Sequence, residues 1–222
     1  MTEAAIRKLG FDARNLRLLL VGHAHSDHAG ALAYLQKLSG AHMAVIEEEK
    51  DLLASGGKTD FHYGDYKEFY FDAPRIDQVF VDGDVLKQGD VAITALLTNG
   101  HTKGSTTFVT TVNDGGKAYV VVFPNGLSVN PGYHIVKGPS YVGIEANYRR
   151  TLRVLEQLKP DIWMFPHAET WDFEAKLARS KNEGVNAWVD PQGYRLWLWA
   201  QRDNLEATIS QELGIVAKGR AD

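Results

Sequence analysis

LRLLLVGHAHSDH, Leu16 to His28, is the stretch that decides the fold class. Its first half, Leu16 to Gly22, is an apolar run of strand length interrupted only by Arg17, the pattern of a buried strand. Its second half carries four metal-capable side chains, His23, His25, Asp27 and His28, within six positions. A strand that runs into a tight loop aims alternate side chains at one point, so these groups converge without help from the rest of the chain. Imidazoles and a carboxylate are the donors Zn²⁺ prefers where sulfur is absent, and the 222-residue chain has no cysteine. The same absence excludes disulfides and thiolate nucleophiles.

The pattern on either side predicts an α/β protein. Upstream, Glu3 to Leu9 reads as a short helix stopped by Gly10. Downstream, residues 29–39 read as a helix with Leu32, Leu35 and Leu38 on one face. A strand at His42 to Glu47 and a short helix ending at Gly56 complete a βαβα rhythm. The middle is strand-rich: VFVDG, VAITALLT and STTFVTTV are β-branched and aromatic. Asp114-Gly115-Gly116 is a hairpin turn into AYVVVF. Ser140 to Lys159 is expected as a long helix, ended by Pro160, and Asp161 to Phe165 as another buried strand. Asp190 and Pro191 form an N-cap and first-turn pair for a last helix running to about Leu213. With no repeat and no long linker, residues 1–222 are expected to form one domain.

Composition narrows the function. At 44% hydrophobic and 23% charged the chain has the make-up of a globular domain. A net charge of −4 gives no electrostatic reason to expect nucleic acid or an anionic membrane as partner. No apolar run approaches the roughly 20 residues of a membrane span. The opening residues lack a secretory pattern, so as written the chain is expected to stay in the cytosol. There is no Gly-x-Ser-x-Gly elbow to supply a serine nucleophile.

Two further histidines share the setting of the first cluster. His101, in TNGHTKGS, follows the strand VAITALLT, and His167, in FPHA, follows DIWMF. Functional groups in α/β sheets collect at the carboxyl ends of strands. His42, His62 and His134 have no such company and read as surface or packing residues.

HAHSDHAG, then GHTKGS, LSVNPGY (Leu127 to Tyr133) and PHAETWD together resemble the metallo-beta-lactamase superfamily. Within it the chain is most similar to the third, cysteine-free, dizinc subclass of class B beta-lactamases. The resemblance implies a four-layer αβ/βα sandwich. It also implies strands before the HxHxDH motif, for which twenty-two residues leave no room, so the expected sandwich lacks its usual N-terminal strands.

By position, His23, His25 and His101 would hold a first zinc ion and Asp27, His28 and His167 a second. Asp27 would be the catalytic residue, orienting a metal-bound hydroxide that opens a beta-lactam ring. Ser128 matches a serine that binds the antibiotic carboxylate, while Gly126 stands where a second serine is frequent. Gly56 to Asp72 would form a flap over the groove, with Phe61 and Tyr63 as apolar substrate contacts. The resemblance further implies a small-molecule substrate, a role in antibiotic resistance, a monomer or small homo-oligomer, and a periplasmic or secreted location.

Two alternatives remain at this point. One is another hydrolase of the same fold acting on a lactone, thioester or phosphoester. Relatives of that kind bridge their metals with an aspartate where this chain has Asn125. The other is a truncated, non-catalytic zinc-binding form.

Overall fold

The computed structural model describes residues 2–215; Met1 and residues 216–222 of the expected domain lie outside the described residues. The elements, in chain order, are α1 (Thr2–Lys8), β1 (Leu18–Leu20), α2 (Ser26–Ala29), α3 (Leu32–Ser39), β2 (His42–Ile46), α4 (Lys50–Ala54), β3 (Gln78–Phe80), β4 (Val85–Gln88), β5 (Val91–Leu97), β6 (Thr106–Asp114), β7 (Lys117–Phe123), α5 (Ile144–Gln157), β8 (Ile162–Trp163), α6 (Phe173–Glu183) and α7 (Pro191–Leu213). They build a three-stranded sheet, β1-β2-β3, and a five-stranded sheet, β4-β5-β6-β7-β8.

Side-chain alternation sorts the apolar residues into stacked layers. In β1 and β2, Leu19, Met43 and Val45 face outward and pack against Leu32 and Leu35 of α3 and Leu53 of α4. The intervening residues, Leu18, Leu20, Ala44 and Ile46, face the second sheet and meet Phe80, Leu86, Ala95 and Phe108. On the far side of that sheet, Val122 and Trp163 are covered by Tyr148, Leu152 and Leu155 of α5 and Tyr194, Trp197 and Leu198 of α7. The order helix, sheet, sheet, helix is the expected four-layer sandwich.

Strand direction brings the functional loops to one edge. β5 and β6 are antiparallel, β6 and β7 are antiparallel, and β7 and β8 are parallel. Two reversals restore the original direction, so β5, β7 and β8 all deliver their carboxyl ends to the same side. β1 joins them there: the Gly22 carbonyl, just past its end, accepts a 2.7 Å hydrogen bond from the Thr106 amide at the start of β6.

Several boundaries differ from the sequence reading. The helix expected over 29–39 is two helices, and the first begins inside the histidine motif at Ser26. The helix expected from Ser140 starts only at Ile144, because Gly143 (φ 88°) turns the chain immediately before it. The strand expected over Asp161 to Phe165 keeps only Ile162 and Trp163 in register with β7. The last helix has the predicted limits, with the Asp190 carboxylate accepting from the Gly193 amide and Pro191 in the first turn.

Leu155 is fully buried between β8 and α7, whereas Val142 is 97% exposed. Leu155→Ala is expected to destabilise the protein by about 2–5 kcal/mol and Val142→Ala by less than about 0.5 kcal/mol. Denaturant midpoints at equal slope measure both.

Candidate metal centre

Two strand ends supply the centre of the site. His23 and His25 follow β1, and His101 follows β5; one ring nitrogen from each lies within 4.8 Å of the others. His101 Nε2 stands 3.2 Å from His25 Nδ1. His23 Nε2 is buried and has no hydrogen-bond partner.

The opposite ring nitrogens explain which way each imidazole faces. His23 Nδ1 donates to Asn125 Oδ1 at 2.7 Å. His101 Nδ1 donates to the Ser128 carbonyl at 2.7 Å. A carbonyl oxygen can only accept, so Nδ1 carries the hydrogen on both rings and Nε2 carries the lone pair. For His25 the outer partner is Asp60, whose Oδ2 lies 3.3 Å from Nε2; neither atom has a well-aligned hydrogen bond elsewhere. Asp60 is itself held by the amides of His62 and Tyr63, each 2.7 Å from Oδ1. Burial works against its charge, but His25 and these two amides outweigh it and keep the carboxyl below its usual range.

The centre is therefore three lone pairs directed at one small volume. Water-poor surroundings also keep His23 and His101 neutral. Burial pushes His23 well below the ordinary imidazole value, and the neighbouring histidines push it further. Burial, then the proximity of His25, lowers His101 to about 4. A divalent cation is the group whose chemistry fits such a donor set.

A second cluster adjoins the first. His23, Asp27 and His28 also offer ligand atoms within 4.8 Å of one another. Asp27 Oδ2 is 3.3 Å from His28 Nε2 and 3.8 Å from His167 Nε2. The His28 and His167 rings meet edge to face at 5.2 Å. All six residues singled out in the sequence as metal donors thus lie together. They line one cavity of about 350 Å³.

The cavity walls place the remaining candidates. Ser128 and Tyr63 line it; Phe61 does not, and packs instead on Tyr133 and Tyr141. The sequence reading missed Phe69, Phe165 and Asn130, which do line it. Asn130 Nδ2 donates to the Tyr63 hydroxyl at 2.9 Å, tying the flap to the opposite wall. Gly126 (φ +84°) has no room for a side chain, since a Cβ there would sit 2.3 Å from the Thr98 carbonyl oxygen. The absence of a serine at this position is thus a backbone requirement. Among the other histidines, His42 and His134 are exposed, and His62 stacks on Tyr63 and Tyr133.

Three tyrosines, Tyr133 and Tyr148 buried and Tyr141 half-buried, hold the ligand loops from below. Tyr133 donates to the His101 carbonyl at 2.8 Å, Tyr148 to that of Ser128 at 3.0 Å and Tyr141 to that of Gly100 at 3.2 Å. Burial raises all three phenols, Tyr141 to about 12, so they remain donors at any working pH.

A family model described as the metallo-beta-lactamase superfamily matches residues 1–112, half of the chain. The chain belongs to the metallo-beta-lactamase superfamily. Solved metallo-beta-lactamases share its fold across nearly its whole length. The FEZ-1 metallo-beta-lactamase from Legionella gormanii is 33% identical at a TM-score of 0.91, over 95% of this chain and 80% of that one. The subclass B3 enzyme BJP-1 of Bradyrhizobium japonicum is 29% identical at 0.87, over 96% and 79%. The class B3 di-zinc enzyme LRA-12 from an Alaskan soil metagenome is 28% identical at 0.84, over 93% and 78%. A curated relative, a probable metallo-hydrolase of Burkholderia pseudomallei, is 34% identical over 96 residues. That match spans 43% of this chain and only 32% of the relative. Among the described residues, no helix of this superfamily member is long and apolar enough to cross a membrane.

The buried neutral imidazoles make the metal-free protein acid-sensitive in a defined window. The unfolded chain takes up protons near pH 6.5, while folded His101 and His28 resist until about 4. Between those values the unfolded state binds more protons, so stability falls as pH falls. His101 alone accounts for on the order of 3 kcal/mol; Glu49, which burial pushes up, opposes the trend in part. Chemical denaturation of chelator-treated protein from pH 7 to pH 4 is expected to show a steep decline. A flat profile would contradict the neutral, buried cluster.

Proposed function

We propose that this superfamily member is a zinc-dependent hydrolase that opens the beta-lactam ring. The observation that carries the reading is the convergence of His23 Nε2, His25 Nδ1 and His101 Nε2, with Asp27, His28 and His167 beside them in one open cavity. Nitrogen and carboxylate donors without sulfur suit zinc. In this assignment His23, His25 and His101 hold one ion and Asp27, His28 and His167 the other. Such ions supply Lewis acidity: they polarise a carbonyl and bring the acidity of water to about pH 7.

The protein's own groups then do the positioning. Asp27, exposed to the cavity, accepts a hydrogen bond from the attacking water and orients it toward the amide carbon. Addition of water breaks the strained C–N bond, leaves a carboxylate, moves one proton to the ring nitrogen and releases the other to solvent. Ser128 and Asn130 offer uncharged donors to a substrate carboxylate, and Tyr63, Phe69 and Phe165 give it apolar walls.

Asn125 favours this reading over lactone or thioester hydrolysis. Its oxygen is engaged with the back of the His23 ring, so it stands outside the converging nitrogens and offers no charged bridge between two cations. The likeness to beta-lactamases at 33% identity and a TM-score of 0.91 supports the same choice. Periplasmic placement and a role in resistance follow from that likeness as part of the proposal.

Zinc-loaded protein is expected to open a chromogenic cephalosporin and to lose that activity in chelator. His101→Ala is expected to lower kcat/KM by more than the roughly 10–100-fold typical of losing an outer partner of a metal ligand. Zinc-replete protein that turns over no beta-lactam, but does hydrolyse a lactone or thioester, would replace the proposed substrate class.

A further inference from the structure

One buried acid has no part in the chemistry so far. Glu49 ends the 3-10 turn that follows β2 and is 1% exposed. Its Oε1 accepts from the Ala24 amide at 2.7 Å. Its Oε2 accepts from the Thr102 hydroxyl and the Gly104 amide, both at 2.8 Å. Among the described residues no lysine or arginine pairs with it, and burial raises its pKa against the pull of these three donors.

The partners are informative because of where they stand. Ala24 separates His23 from His25, and Thr102 follows His101 directly. One carboxylate therefore joins the two loops that carry all three converging imidazoles. Packing around it leaves no slack: a Cβ on Gly104 would lie 2.4 Å from the Glu49 backbone nitrogen. Thr102 Oγ1 is also 2.8 Å from Ser105 Oγ, which in turn accepts from the Thr102 amide at 3.1 Å. A group that costs desolvation energy and has no countercharge among the described residues is placed beneath a site that would receive a cation.

We propose that Glu49 is a positioning residue of the metal centre: it clamps the two ligand-bearing loops in register before an ion arrives, and its unpaired negative charge offsets the charge of that ion. The inference rests on the reading that His23, His25 and His101 hold a divalent cation. It assigns Glu49 no contact with ion or substrate.

The test is a titration of metal-free wild type, Glu49→Gln and Thr102→Val with Co²⁺ against a competing chelator, read by affinity and by the cobalt absorption spectrum. Melting of each metal-free protein is measured alongside. In Glu49→Gln the loss of an unpaired buried charge and the conflict between an amide NH₂ and one backbone donor oppose each other, so the metal-free melting temperature is expected to move little. Cobalt affinity is expected to fall about 10–100-fold with an altered spectrum. Thr102→Val keeps the charge and two of the three contacts and is expected to fall less. Unchanged affinity and spectrum in Glu49→Gln would overturn the proposal, as would an affinity loss that merely tracks metal-free stability. If Glu49→Gln does not fold, amide exchange in metal-free wild type decides: protection at Ala24 and Gly104 supports the clamp, and exchange at exposed-loop rates overturns it. Failure of wild type to bind cobalt would instead overturn the metal reading itself, and the proposal with it.

Discussion

Imidazole lone pairs turned toward one another repel, and they do so more strongly where water is scarce. His25 Nδ1 and His101 Nε2 nevertheless stand 3.2 Å apart, with His23 Nε2 beside them and unpartnered. Such a cluster persists only if the surrounding protein determines each ring from behind. Asn125, Asp60 and the Ser128 carbonyl fix the outer nitrogens. Tyr148 then fixes the Ser128 backbone, and Tyr133 and Tyr141 fix the backbone of the His101 loop. The sandwich explains how so many anchors meet. Three strands of one sheet and one of the other end at a common edge, and α5 supplies Tyr148 from below.

The candidate donors were legible in the sequence because their signal is local. HAHSDH follows an apolar run, and His101 and His167 each follow a strand, so strand-end position alone groups them. What lay beyond reading was the support. Asp60 sits in a glycine- and aromatic-rich loop with no spacing relation to His25, and Glu49 is one of three consecutive glutamates whose neighbours are exposed. Only the packing of β2 between β1 and β3 distinguishes it. Two elements also escaped for physical reasons. β4 has a single buried residue, Leu86. Helix α6 buries only Lys176, whose ammonium lies 2.8 Å from Asp190 and 5.3 Å from the rings of both Trp163 and Trp171. A helix anchored by a lysine between two indoles leaves no apolar period to find.

The two donor clusters differ in how far they are prepared. His23 and His101 are about 4–5% exposed, and each has its outer ring nitrogen held by a carbonyl oxygen. The Asp27 and His167 side chains are 59% and 49% exposed; Asp27 lies against His28 and His167, and His167 also lies beside the Phe165 ring. On the proposed assignment a first ion meets a preorganised set, whereas a second must order two exposed side chains as it binds, at an entropic cost that the first does not incur. The same contrast suits the chemistry. The group that orients water has to reach solvent and substrate, while the group that holds the polarising ion has to stay dry. A single strand-to-helix junction, Gly22 to Ala29, serves both needs because α2 begins at Ser26: the residues before it point into the core and Asp27, in its first turn, points out.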